Sequence, residues 1–223
     1  MILESGELPK HVLVMVGLPA RGKTYIARKI ARYLSWLGYN TRTFNVGEYR
    51  RALAGARQPA SFFDPDNEKS AEVRESIAMR ALDDLVAWLL DGGDVAIYDA
   101  TNTEKSRRHL IWQRCNAVGI HVVFVESICE DETVVDANVR DNKLRSPDYI
   151  DVDPDAAASD FRARIAQYER TYETLDEDDQ SFIKIIDVGR QVVVNRMEGY
   201  FSARLMFFLM NIHPARRKIW LTR

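Results

Sequence analysis

The chain has 223 residues, 46% of them hydrophobic and 29% charged, and a formal net charge of −2. This fits one α/β domain, with or without a small appendage, and ample apolar residues for a core. The near-neutral charge excludes a general attraction to nucleic acid or anionic membrane, so an anionic ligand must be met by a local cluster of cations. Cys115 and Cys129 form neither a disulfide framework nor a zinc-like spacing, no leader pattern opens the chain, and no apolar run reaches membrane-span length. Together these features suit a cytoplasmic protein with no membrane or nucleic-acid partner.

In chain order, Val12-Leu13-Val14-Met15-Val16 is an apolar run that reads as a buried parallel strand. It runs into Gly17-Leu18-Pro19-Ala20-Arg21-Gly22-Lys23-Thr24, a complete G-x-x-x-x-G-K-[ST] phosphate loop. Glycine allows the tight turn that brings backbone N–H groups against phosphate oxygens. Lys23 supplies an ammonium for the β- and γ-phosphates, and the Thr24 hydroxyl can ligate Mg²⁺. Ile26, Ile30, Tyr33, Leu34 and Leu37 make a helical stripe closed by Gly38, so the loop opens a helix and a phosphate would sit on its N-terminus. The first substrate class is therefore a nucleoside triphosphate with Mg²⁺.

A second strand fits Thr41 to Val46, followed by a short polar segment with Tyr49, Arg50 and Arg51 and a loop over residues 55 to 67. A helix from about Asn67 to Leu90 ends at Gly92-Gly93, and Val95 to Asp99 is a third strand that finishes in a carboxylate. At that position Asp99 can face the phosphate loop and hold Mg²⁺; Thr101 or Asn102 can cap the following helix, from about Thr103 to Val118. His121 to Glu126 reads as a fourth strand, and about Asp131 to Leu144 as a helix running into the loop Arg145-Ser146-Pro147-Asp148. Another helix spans about Ala156 to Leu175. The acidic stretch Asp176 to Asp179 reads as a solvated turn, Ile183 to Asp187 and Gln191 to Val194 as late strands, and about Arg196 to Met210 as a last helix. Strands alternating with helices predict a P-loop NTPase-type α/β fold: a doubly wound, mainly parallel sheet flanked by helices, with the ligand site at the strands' carboxyl ends.

No N-K-x-D type guanine-reading segment follows on a late strand, which favours a small-molecule kinase over a GTPase. Arg50, Arg51, Arg74, Arg107, Arg108, Arg140, Arg145, Arg162 and Arg164 are spread over several segments. Each alone is ordinarily a solvated charge, but forked guanidiniums suit phosphate, so an acceptor that is itself phosphorylated is expected.

With these residues assembled, the chain resembles the kinase half of the 6-phosphofructo-2-kinase/fructose-2,6-bisphosphatase family. The resemblance is carried by Val14 to Tyr25, Phe44-Asn45-Val46-Gly47-Glu48-Tyr49-Arg50-Arg51, Asp64 to Glu68, Asp99 to Thr103, Val125 to Cys129, Ser146-Pro147-Asp148-Tyr149 and Leu209 to His213, in family order. It implies phosphoryl transfer from ATP to the 2-hydroxyl of fructose 6-phosphate. By position, ATP would lie on Gly17, Leu18, Pro19, Ala20, Arg21, Gly22, Lys23, Thr24 and Tyr25, with further contact around Asn138 to Lys143. The sugar phosphate would be held by Arg50, Arg74, Thr101, Arg107, Lys143, Arg164 and Tyr168. Asp99 and Cys129 match active-site positions, and Lys23, Mg²⁺ and Lys143 would neutralise the moving phosphoryl, with Thr24 and Asp99 the metal ligands.

Plainer roles stay open beside these. Cys129 fits a small apolar residue after a strand, Lys143 a solvated cation at a helix end, and Tyr168 a core residue on the face of Phe161, Ile165 and Tyr172. Other acceptors, or a nucleotide-binding regulatory module without transfer activity, are the alternatives to the sugar-phosphate kinase. Residues 1–213 are expected to form the kinase domain, and 214–223 a linker or the first strand of a phosphatase domain, frayed in its absence. The family's phosphatase half opens with Arg-His-Gly, whereas this sequence ends Trp220-Leu221-Thr222-Arg223, so no phosphatase chemistry is assigned to it. The resemblance leaves a homodimer open.

Overall fold

The computed structural model describes residues 9–143 and 145–212, without the side chains of Asn142 and Lys143. The expected appendage at 214–223 therefore lies outside the described residues. Six strands form one sheet in the order β2 (Thr41–Asn45), β3 (Val95–Asp99), β1 (His11–Val16), β4 (His121–Ile128), β5 (Phe182–Ile186) and β6 (Gln191–Asn195). All neighbours run parallel except β5 and β6, which are antiparallel.

β1 lies between β3 and β4, and all six of its residues are buried. Its continuous apolar run divides with a period of two. Val12, Val14 and Val16 enter one core with Leu82, Leu85 and Leu89 of α3 (Glu68–Leu90) and Ile111 of α4 (Lys105–Asn116). Leu13 and Met15 enter the other with Ile26, Ile30 and Leu34 of α1 (Lys23–Trp36) and Leu205 and Leu209 of α7 (Gly199–Met210). A strand covered on both faces has no polar side to show, which is why its pattern does not alternate in polarity. At about 25 cal/mol per Å², each fully buried Leu or Ile here contributes roughly 2 kcal/mol, so these two layers fix the sheet rigidly beneath its loops.

A third, smaller core caps the carboxyl end of the sheet. It joins Ala20 of the phosphate loop and Cys129 to Val135 of α5 (Glu132–Asn138), to Tyr149, and to Phe161 and Ile165 of α6 (Pro154–Glu169).

Several boundaries differ from expectation. Residues 46 to 54 are not a loose polar segment but α2 (Val46–Ala54), whose N-cap Asn45 side chain accepts from the Glu48 N–H at 3.0 Å. The helix expected over 131 to 144 is α5 followed by a π-type turn, Val139–Lys143. α6 stops at Glu169, leaving 171–175 as an irregular strap. The acidic stretch after it is only partly solvated: Asp178 is exposed, but Asp179 is buried and ion-paired with Arg108. A buried carboxylate needs such a partner, and the sequence places Arg108 71 residues away.

Candidate active site

β1 ends where the chain must turn back over the sheet, and Gly17 makes that turn with a φ of 128°. A Cβ there would stand 2.5 Å from the Ser127 carbonyl oxygen at the end of β4. The first loop glycine is thus required by β4 as well as by any phosphate. Gly22 follows at φ 85°, and Ala20 is also left-handed at 61°. The loop is tied to its surroundings through backbone groups. The Gly17 N–H donates to the Thr101 carbonyl at 2.9 Å, the Asn138 amide to Ala20 O at 3.0 Å, and the Ser127 hydroxyl to Arg21 O. Lys23 is buried and its ammonium donates to Leu18 O at 2.5 Å, inside the loop it serves.

β3 runs beside β1 and delivers Asp99, 4% exposed, to the same end of the sheet. The Asn45 amide donates to Asp99 Oδ2 at 2.6 Å while its oxygen caps α2, so one side chain fixes both the carboxylate and the helix. A hydroxyl, a carboxylate and phosphate oxygens are hard donors, and Thr24 with Asp99 suits Mg²⁺ in that way.

Beyond Asp99 the opposing wall is built from side chains. Asp148, 7% exposed, stands at its centre. It takes Arg50 Nη2 at 2.5 Å, with Arg51 Nη1 and Arg164 Nη1 each at 3.8 Å. The Arg164 guanidinium also stacks 3.6 Å over the Phe63 ring. Burial pushes the Asp148 carboxyl up. The hydrogen bond from Arg50 and the charges of Arg50, Arg164 and Arg51 outweigh it and hold the group below its ordinary value. Three guanidiniums around one carboxylate leave excess positive charge, and the buried Nε atoms of Arg50 and Arg164 have no hydrogen-bond partner among the described residues. Donors in that state suit an anion from solution.

One cleft of about 1940 Å³ runs between the two walls. It is lined by loop residues Pro19 to Tyr25 and by Asp99, Thr101, Cys129 and Asn138, and equally by Arg50, Arg74, Arg107, Arg164 and Tyr168. Gly17 and Leu18 are not part of this lining, and Lys143 falls outside the described side chains. The arginines are held differently. Arg74 donates to the carbonyls of Phe62 and Asp64 and Arg107 to the Glu75 carboxylate, so both are held by the protein's own acceptors at the cleft wall. Tyr168 lies tilted beside Phe63 with ring centres 6.0 Å apart and is not in the core shared by Phe161 and Ile165. Cys129 packs beside Ala20, and burial pushes its thiol up.

Arg108 does not belong to this wall. Its side chain is wholly buried on the far side of the Asp99–Thr103 loop, and Arg162 is exposed beside Asp136. Conversely, Asn45, Phe63, Ser127 and Asp148 belong to the site although nothing local marks them as ligands. The spacing Asn45…Glu48 is a helix-start signal that would have found α2 and so the place of Arg50.

Residues 1–216 match the family model described as 6-phosphofructo-2-kinase. The chain is 49% identical over 216 residues to 6-phosphofructo-2-kinase/fructose-2,6-bisphosphatase 4 of Rattus norvegicus, covering 95% of this chain and 46% of that protein. It is 47% identical over 223 residues to the Caenorhabditis elegans protein of that description, covering 96% and 49%. The chain thus spans about half the length of these curated relatives. Among solved structures, Chaetomium thermophilum Kti12 in complex with ADP-AlF3 superposes with a TM-score of 0.50 at 19% identity, covering 75% of this chain and 82% of that one. That likeness speaks for the fold alone.

Proposed function

The chain belongs to the 6-phosphofructo-2-kinase family, and on that premise we propose that it transfers the γ-phosphoryl group of ATP to the 2-hydroxyl of fructose 6-phosphate, giving fructose 2,6-bisphosphate. The observation that carries the acceptor half is the arginine cluster around Asp148, facing the phosphate loop across one cleft. ATP phosphates occupy the loop from Gly17 to Tyr25, where the Gly22 to Thr24 amides open α1 and Lys23 leaves Leu18 O for phosphate oxygens. Asn138 and the turn through Lys143 border the nucleotide. The 6-phosphate lies on Arg50 and Arg164, with Arg74, Arg107, Thr101 and Tyr168 closing around the sugar.

Transfer forms a bond from the sugar O2 to the γ-phosphorus and breaks the bond from that phosphorus to the β–γ bridging oxygen. A loose transition state asks little covalent help, so in-line placement and preset cations do most of the work. Thr24 and Asp99 would hold Mg²⁺, which would supply further charge neutralisation there. The anomeric hydroxyl is more acidic than an ordinary alcohol, and Asp99, whose carboxylate accepts from the Asn45 amide, would take its proton. Cys129 serves as packing under the loop. Both cysteines are free and buried, which suits a reducing cytoplasm. Among the described residues no helix is long and apolar enough to cross a membrane.

The test is formation of fructose 2,6-bisphosphate from Mg-ATP and fructose 6-phosphate. Folded protein that binds ATP but makes no product with this or any other sugar phosphate would reduce it to a nucleotide-binding module. Product from a different sugar phosphate only would move the acceptor assignment.

A further inference from the structure

Arg108 is the largest fully buried side chain among the described residues, and every nitrogen of its guanidinium has a partner. Nε and Nη2 meet Asp179 at 3.1 and 3.3 Å. Nη1 reaches three backbone carbonyls: Asn102 at 3.4 Å, Thr103 at 3.1 Å and Glu173 at 2.9 Å. The fork therefore buckles two remote segments, the loop after β3 and the strap after α6. The strap returns the contact, with the Glu173 N–H donating to Thr103 O at 3.0 Å and the Lys105 N–H to the Glu173 carboxylate at 2.6 Å.

The other side of the same loop is fastened to β1 and the phosphate loop. The Thr101 carbonyl accepts the Gly17 N–H, and the Asn102 amide donates to Met15 O at 2.8 Å while Asn102 sits at a φ of 44°. A left-handed asparagine is tolerated but uncommon, and it persists where both flanks are fixed. Thr101 carries the first of these fastenings, adjoins the second, and lines the cleft. The strap has a second buried anchor: Glu126 of β4, fully buried, accepts from Tyr172 at 2.6 Å, Thr174 at 2.9 Å and the Leu175 N–H at 3.2 Å. α6, which carries Arg164 and Tyr168, runs directly into this strap.

We propose that the buried Arg108–Asp179 pair is a positioning clasp for the acceptor site, setting Thr101 against the phosphate loop through the backbone of Asn102 and Thr103. The inference rests on the acceptor reading above. Fold stability alone gives weak reason for such a pair, since well-packed apolar residues can replace buried ion pairs without loss. Three carbonyl acceptors, by contrast, specify a backbone path that no apolar side chain can specify, and lysine cannot reproduce the fork.

The test is steady-state kinetics with ATP binding measured by calorimetry. Arg108→Lys is expected to raise KM for fructose 6-phosphate about tenfold or more, with ATP affinity held within about twofold. Because the clasp acts through Thr101, Arg108→Lys combined with Thr101→Ala should be little worse than either alone, whereas independent roles would multiply. An unmoved KM, multiplying effects, or equal losses for both substrates would overturn the clasp. If Arg108→Lys does not fold, Asp179→Asn, which keeps shape and one acceptor oxygen, carries the same measurements. Failure of both variants to fold would overturn it as well, since the pair would then be a folding requirement. Wild-type protein that makes no product removes the acceptor reading and the clasp with it, while wild-type turnover with unmoved variants removes the clasp alone.

Discussion

The two walls of the cleft are made of different material. The donor wall is backbone: a nine-residue stretch turned by Gly17 and Gly22 and tied through N–H and C=O groups to Thr101, Asn138 and Ser127. The acceptor wall is side chain: Arg50 from α2, Phe63, Arg74 from α3, Asp148 and Arg164 from α6 meet only in space. A backbone site requires particular residues at fixed spacing, because only certain residues allow the path. A side-chain site requires charge and shape at a point, and any element that reaches the point can supply them. The first leaves a local motif in the sequence; the second leaves scattered arginines.

Variants can break that contrast. The largest effect is expected at Lys23, the donor-wall side chain proposed to meet the moving charge. Lys23→Met should lower kcat about a thousandfold with both substrates saturating, because a preset cation next to developing charge has no substitute. Its melting temperature should stay close to wild type, since the ammonium donates to the Leu18 carbonyl within the same loop and does not bridge two remote elements through that bond. A variant that keeps turnover within tenfold would show that the acceptor-side cations suffice.

Next comes the backbone itself. Gly17→Ala places a methyl against the Ser127 carbonyl at a φ that L residues rarely adopt. Neither atom can swing away, so a loss of about 3 kcal/mol of stability is expected in denaturant unfolding, with ATP affinity falling alongside. If stability falls and ATP affinity does not, the glycine serves β4 rather than phosphate.

Arg164→Ala should act on one substrate only. Removing a guanidinium stacked on Phe63 and shared with Asp148 should raise KM for fructose 6-phosphate about a hundredfold. ATP binding, measured separately by calorimetry, should change less than about twofold. Equal weakening of both ligands would mean that the walls are not separable.

The same contrast explains what was legible. The phosphate loop, β1 and the alternation of strands and helices follow from local pattern, as does Asp99 at a strand end. α2 was hidden because Arg50 and Arg51 outweigh its apolar residues, although its Asn45…Glu48 start was present. Arg108 and Arg107 are neighbours in sequence, yet one points into the buried clasp and the other into the cleft. No composition rule separates them, because helix rotation and a partner 71 residues away decide their environments. Asp179 illustrates the converse, an acidic run in which a single residue turns inward to meet its cation.

The smallest effect is expected where a reactive residue type lies at the donor wall without a reactive setting. Cys129 is 6% exposed among Ala20, Val135, Val139 and Phe161, and burial raises its thiol, so the nucleophilic thiolate is disfavoured. Phosphoryl transfer between two oxygens also needs no thiol. Cys129→Ser should therefore keep kcat within about twofold and cost about 1 kcal/mol, the expense of placing a hydroxyl in an apolar site. A hundredfold fall in kcat with the fold intact would give the sulfur a chemical part. Cys129→Leu sharpens the distinction: extra volume beside Ala20 should press on the phosphate loop and weaken ATP binding more than the serine does, although leucine is the more apolar residue. Size, not chemistry, is what this position reads.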